Sequence, residues 1–265
     1  MNVIQLSIWD LSLAALLVLI LAGISFVLNL KLEKRLLLAI IRSTLQLSLI
    51  GLILKYLFKL ANPLLIASLA MIMLLVASYE VMARQQRRFV GIWGLGISVL
   101  SMGLSSFTVT LIALTIIIQP TPWYTPQYLI PLLGMLLGNT MNGIAISLEN
   151  LTQRAWHERT QIEARLMLGQ DWNEAISHLR NDALRAGLIP IINAMMVAGI
   201  VSLPGMMTGQ ILSGTPPMEA IKYQLLIMFL IASGTGFGAY AAVWLGSRHL
   251  FDARERLRLD WLRSK

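Results

Sequence analysis

The chain has no cysteine, which excludes disulfides, thiol catalysis and cysteine metal sites. Charge is scarce as well. Only 13% of the 265 residues are Asp, Glu, Lys or Arg, against 57% hydrophobic, roughly half the charged fraction of a soluble domain. The three histidines, His157, His178 and His249, fall in polar segments and have no ligand partner at helical spacing, so solvated or interface imidazoles are expected. There is no GxxxxGK[ST] loop, no HExxH and no GxSxG, nor a serine–histidine pairing at membrane depth. Enzymatic chemistry within the membrane is therefore not expected, and any ATP must be used by another chain. Nothing suggests sequence-specific nucleic-acid binding, so the net charge of +8 needs another cause.

What is abundant is apolar sequence, with a mean hydropathy of +0.71. Seven spans are expected, at about 8–30, 36–57, 63–79, within 89–118, 128–148, 187–208 and 220–245. Most reach the roughly 20 residues that a hydrocarbon core requires. Span three is short. Span four is long enough to tilt or bend, and Gly91, Gly94, Gly96 and Gly103 permit either. The first span lacks a basic n-region and is followed by a basic flank, unlike a cleaved signal peptide. Basic residues cluster after spans one, three and five and in the tail, which together hold seventeen of the 21. The positive-inside rule then places the N-terminus outside and the C-terminus in the cytoplasm. The expected fold is all-α and polytopic. Residues 1–246 form a transmembrane domain interrupted by a cytoplasmic segment at 149–185, and 247–265 form a basic cytoplasmic tail. Leu250, Leu257 and Trp261 could give that tail one apolar side, as an interfacial helix or as a contact for a cytoplasmic partner.

The interval 149–185 is the longest polar one, with five arginines and six acids. It reads as two amphipathic helices with a break at Gly169-Gln170. Leu151, Ala155, Ile162 and Leu166 share a face of the first; Trp172, Ile176, Leu179 and Ala183 share a face of the second. Asp171 with Glu174 reads as a capping box that starts the second helix.

The spans carry several polar or helix-modifying residues. Arg42 either snorkels to headgroups or finds a buried partner, with Glu80 the candidate. Pro131, Gly134 and Gly138 lie in span five, the two glycines forming a GxxxG pair suited to close packing. Asn139 and Asn142 are costly in hydrocarbon unless they pair or line a wet path, and Asn193 in span six joins them as a candidate path residue. Pro190 and Pro204 each leave a carbonyl without its helical donor, and Gly199, Gly205 and Gly209 allow bends. Met195, Met196, Met206 and Met207 could offer thioethers to a soft metal or serve as flexible packing. Glu219 and Lys222 read as a local ion pair, a rim or a pathway entrance.

Four strings resemble the FetB (YbbM) membrane permease family: PLLGMLLGNTM (131–141), RAGLIP (185–190), GIVSLPGMMTG (199–209) and PMEAIKYQ (217–224). The resemblance extends over nearly the whole chain. It implies an ABC-transporter permease in a bacterial plasma membrane (the inner membrane in a Gram-negative cell), forming a permease homodimer in the lipid bilayer. A separate ATPase of the FetA type would use ATP and Mg, with no cofactor on this chain. The family is assigned to iron export, and its plant relatives to aluminium tolerance and sugar-nucleotide transport. EARLMLG (163–169) also resembles the start of the EAA loop of ABC importer permeases, matching at Glu163, Ala164 and Gly169. Arg165 replaces the second alanine, and Asn181-Asp182 stands where a leucine–proline pair is usual. With this resemblance and the Asp171–Glu174 cap taken together, Glu163, Arg165, Gly169, Asp171 and Glu174 are expected at the ATPase contact. The metal ligands stay undefined. With no carboxylate near mid-span, weak oxygen ligation supplemented by the four methionines is expected, or carriage of the metal as a complex. A stand-alone secondary transporter or channel, and a membrane scaffold or receptor, are the competing readings.

Overall fold

A computed structural model describes residues 7–60 and 62–264. Residues 1–6, the start of the expected 1–246 domain, together with Ala61 and Lys265, the end of the expected tail, lie outside it. Among the described residues six helices are long and apolar enough to cross a membrane. The first is α1 (Ile8–Val27), opened by Ser7, whose hydroxyl and amide exchange hydrogen bonds with Asp10. The second and third are α2 (Glu33–Leu60) and α3 (Pro63–Arg84), the latter started by Asn62 accepting from the Leu64 amide at 2.9 Å. A strand β1 (Arg87–Phe89) precedes the fourth, Trp93–Ile118. This long span absorbs its extra residues in π-helical turns: α4 (Trp93–Met102), a π segment at Gly103–Phe107, α5 (Thr108–Ile112) and a second π segment at Ala113–Ile118. The remaining two are α6 (Pro126–His157) and α11 (Pro217–His249). Between them lie α7 (Arg159–Met167), α8 (Trp172–Ala175), α9 (Ser177–Val197) and α10 (Gly205–Leu212). Span three, expected to be short, is a 22-residue helix.

Several expectations are corrected. Span six is not a single helix over 187–208. α9 begins ten residues earlier, in the polar stretch, runs to Val197 and stops. Gly199 then takes φ +85°, Pro204 caps the next segment, and α10 starts at Gly205. Hydropathy cannot register that break because the residues around it are themselves apolar. The first amphipathic helix of the polar stretch is likewise divided: its N-terminal half is the end of α6, and α7 starts only after Glu158. The tail is not an interfacial helix. After α11 it turns, with a bridge between Phe251 and Leu257, and ends in a 3₁₀ turn (Leu259–Trp261) and a strand β2 (Leu262–Ser264). β2 pairs antiparallel with β1, Phe89 opposite Leu262 and both buried. The alternation of Leu262 inward and Arg263 outward has the period of a strand.

α6 is the central helix, packed by α3, α9 and α11. In lipid, apolar side chains gain little by leaving the bilayer, so close packing of small residues does much of the work of association. Gly143 and Gly187 bring α6 and α9 together: a Cβ added at Gly187 would overlap the Ser147 hydroxyl and stand 2.6 Å from the Gly143 carbonyl oxygen. On α11, Gly234, Gly238, Ala242 and Gly246 recur every four residues and are all buried. A Cβ at Gly238 would stand 2.5 Å from Thr140 Cγ2. This small-residue stripe was not anticipated, although its spacing is visible in the sequence. Of the GxxxG pair on α6, a Cβ added at Gly134 would stand 3.3 Å from the Met73 methyl, whereas one added at Gly138 would meet nothing within 4 Å. α1 and α2 pack against each other. α2 is otherwise unburied except at Leu57, which leaves its many leucines to lipid.

Candidate functional site

Two polar constellations stand out, one in the stretch that links α6 to α9 and one within the helix bundle. In the first, the apolar faces expected for the polar stretch are the ones that bury: Leu151, Ala155, Ile162, Ile176, Leu179 and Ala183 are inaccessible, while Leu166 and Trp172 pack at the edge of the same core. This fastens α7 and α8 onto the ends of α6 and α9. A charged network closes over that core. Arg154 on α6 donates to Glu158 at 2.8 Å and pairs with Asp182 on α9. Arg165 Nη1 lies 2.7 Å from His178 Nδ1. An arginine only donates, so Nδ1 carries the lone pair and Nε2 carries the proton, which it directs to Glu158 Oε2 at 3.1 Å. Burial alone would raise the Glu158 carboxyl, but its bonds from Arg154 and His178 outweigh that and hold it below the ordinary glutamate value. The Arg154 guanidinium likewise holds Asp182 below the ordinary aspartate value. The network ties α6, α7 and α9 into one block.

The expected coupling residues divide within this block. Arg165 turns inward to His178 and toward the Ala175 carbonyl. Glu163, Gly169, Asp171 and Glu174 face outward. Gly169 takes φ +90° and closes α7, a conformation that favours glycine. Asp171 accepts from the Glu174 amide at 2.7 Å, the N-cap half of the expected capping box. Sequence reasoning missed Met167 and Leu168, which are 86% and 85% exposed at the tip of the α7–α8 turn. Their signal was an apolar pair beside a helix-ending glycine in an otherwise polar stretch.

The second constellation crosses α2, α3 and α6. Arg42 pairs with Glu80, the partner considered in the sequence. Four residues on, Arg84 donates to Asn142 at 2.6 Å. Glu80 and Arg84 share a face of α3, so one helix joins Arg42 on α2 to Asn142 on α6. Asn139 instead donates to the Met135 carbonyl of its own helix at 2.8 Å, and Asn193 is exposed on α9. Among the described residues no hydrogen bond joins the three asparagines. Met207 is buried, Met195 and Met206 are half-buried and Met196 is exposed. Pro190 lies inside α9. Lys222 bonds Glu219 at 2.8 Å, the local ion pair considered above. Among the described residues no three His, Asp or Glu side chains gather as a metal site.

Fold and composition define an all-α, multi-pass membrane protein. The sequence model of the Uncharacterised protein family (UPF0014) matches residues 8–251, and the chain belongs to that family. It is 41% identical to the UPF0014 membrane protein slr1647 of Synechocystis over 82% of this chain and 83% of that one. It is 34% identical to FetB of Escherichia coli K12, named a probable iron export permease protein, over 97% of this chain and 96% of that one. It is 33% identical to the protein ALUMINUM SENSITIVE 3 of Arabidopsis thaliana over 88% and 83% of the two chains. No solved structure matches. As in its bacterial relatives, this architecture is consistent with a bacterial plasma membrane.

Proposed function

We propose that the chain is a membrane transport protein for a metal or other ion and, more specifically, the permease subunit of an ABC exporter. The observation that carries the finer reading is the Met167–Leu168 tip. Two large apolar side chains at the end of a braced polar block suit insertion into a pocket of a soluble partner. In the orientation expected from the basic loops the tip faces the cytoplasm, where an ATPase of the FetA type would use ATP and Mg. Glu163, Gly169, Asp171 and Glu174 surround that contact. α9 is continuous from Ser177 beside the block to Val197 in the bundle, so a push on the block would be felt among the spans. The break from Gly199 to Gly205 gives α9 freedom to move relative to α10.

The cargo we infer from the FetB similarity is iron or another metal ion, passing between two copies of the chain along polar groups that include Asn139, Asn142 and Asn193. Oxygen ligands would bind such a cargo weakly, which suits release. Met195, Met196, Met206 and Met207 are candidate supplementary ligands. A second reading, a stand-alone secondary transporter or channel, is favoured at the coarser level. The family similarity supports transport directly and brings no ATPase with it, and the Arg42–Glu80–Arg84–Asn142 seam needs none to line a path. Purification of the tagged chain from its own cells separates the two. The ABC reading expects a stoichiometric ATPase that is lost from a Met167→Glu/Leu168→Glu variant. A chain that purifies alone while still transporting supports the second reading.

A further inference from the structure

The β1–β2 ribbon places two arginines directly opposite each other, Arg88 and Arg263. Opposed cross-strand residues project on the same face, and like charges there repel. Three nearby arginines are compensated: Arg256 by Asp252 at 2.8 Å, Arg258 by Asp260 at 2.7 Å, and Arg87 by the Trp156 ring at 3.9 Å. Among the described residues Arg88 and Arg263 have no such partner. Both line a cavity of about 200 Å³ whose other walls are Met82, Phe89, Val90 and Gly91. Two uncompensated guanidinium groups over an apolar floor suit an anion that carries an apolar portion.

The cavity's place in the fold narrows the anion. β1 lies in the short connection between α3, which ends at Arg84, and the next span, which starts at Trp93, so the arginines sit where the chain leaves the bilayer. Beside the cavity, Trp93, His249 and Trp261 stack with ring centroids 4.6 and 5.1 Å apart. Tryptophans with arginines at a span end mark the headgroup level. Arginine forks match phosphate oxygens in geometry as well as charge.

We propose that Arg88 and Arg263 form a phosphate site, filled by the headgroup of an anionic phospholipid, and that the C-terminal strand exists to complete it. The site is separate from the transport reading and stands or falls without it.

The test is native mass spectrometry of the full chain in mixed micelles of equimolar phosphatidylglycerol and phosphatidylcholine, with and without millimolar inorganic phosphate. The wild type retains phosphatidylglycerol preferentially. Arg88→Gln/Arg263→Gln loses that preference at least fivefold, whereas Arg254→Gln/Arg256→Gln, which removes two charges from the same tail outside the cavity, keeps it. Arg88→Lys/Arg263→Lys keeps part of it, a readout that survives if the glutamine variant fails to fold. Displacement by inorganic phosphate alone, with no lipid preference, assigns the phosphate site to a soluble ligand and overturns the lipid. Equal phosphatidylglycerol retention by the wild type and the glutamine variant overturns the site itself.

Discussion

Gly187→Ala tests the packing on which the block's connection to the bundle depends. The added methyl would overlap the Ser147 hydroxyl and stand 2.6 Å from the Gly143 carbonyl oxygen. The serine can rotate away; the carbonyl belongs to the α6 backbone and cannot. Restoring ordinary contact requires α6 and α9 to separate by roughly 0.6–0.8 Å, a gap that forfeits a quarter to a half of each contact's dispersion energy. Overpacking of this kind costs about 1–3 kcal/mol. At about 2–4 °C per kcal/mol for a chain of this size, the melting midpoint of the purified protein should fall by roughly 2–12 °C. Adding Ser147→Gly removes the hydroxyl overlap and leaves the carbonyl, so the double variant should recover only part of the loss. A wild-type midpoint for Gly187→Ala would refute the close crossing. Full rescue by Ser147→Gly would refute the claim that the backbone approach is what limits it.

Three further outcomes are expected. Exchanging Arg42→Glu with Glu80→Arg should restore stability lost in either single variant, with a coupling of about 0.6–1.7 kcal/mol in a double-mutant cycle; additive single effects would deny the pair. Asp182 and Glu158 are both held below their ordinary values, so the stability they confer is complete above those values and is lost as pH falls through the lower folded ones. The melting midpoint should therefore drop as pH falls below the ordinary carboxylate values, and Asp182→Asn should flatten that slope. Met167→Ser/Leu168→Ser removes only exposed side chains and should shift stability by no more than about 0.5 kcal/mol, while abolishing, under the proposed function, capture of a partner ATPase in a pull-down.

What was legible in the sequence was local. The faces of the polar stretch could be read because apolar residues at helical spacing are conspicuous among charges, and Leu151, Ile162, Ile176 and Leu179 are indeed buried. The Asp171 cap and the Gly169 turn could be read from the chemistry of their own residues. What was not legible required distant partners. β2 is a strand because β1, about 170 residues earlier, offers it a free edge; read alone, Leu250, Leu257 and Trp261 suggest a helix. Asn142 reads as an unpaired amide until Arg84 is brought beside it. Gly199 and Pro204 signal a bend, but a full break after Val197 is hidden because Ile200, Val201 and Leu203 are as apolar as a span.

The proposed function is transport coupled to ATP hydrolysis by a partner. It is measured most directly as metal flux in sealed proteoliposomes, with this chain reconstituted alone and then with any ATPase that copurifies with it, ATP being supplied on the side of the Met167–Leu168 tip. Flux of iron or another metal away from that side is expected only when ATPase and ATP are both present. Equal gradient-driven flux from the chain alone, indifferent to ATP, would contradict it.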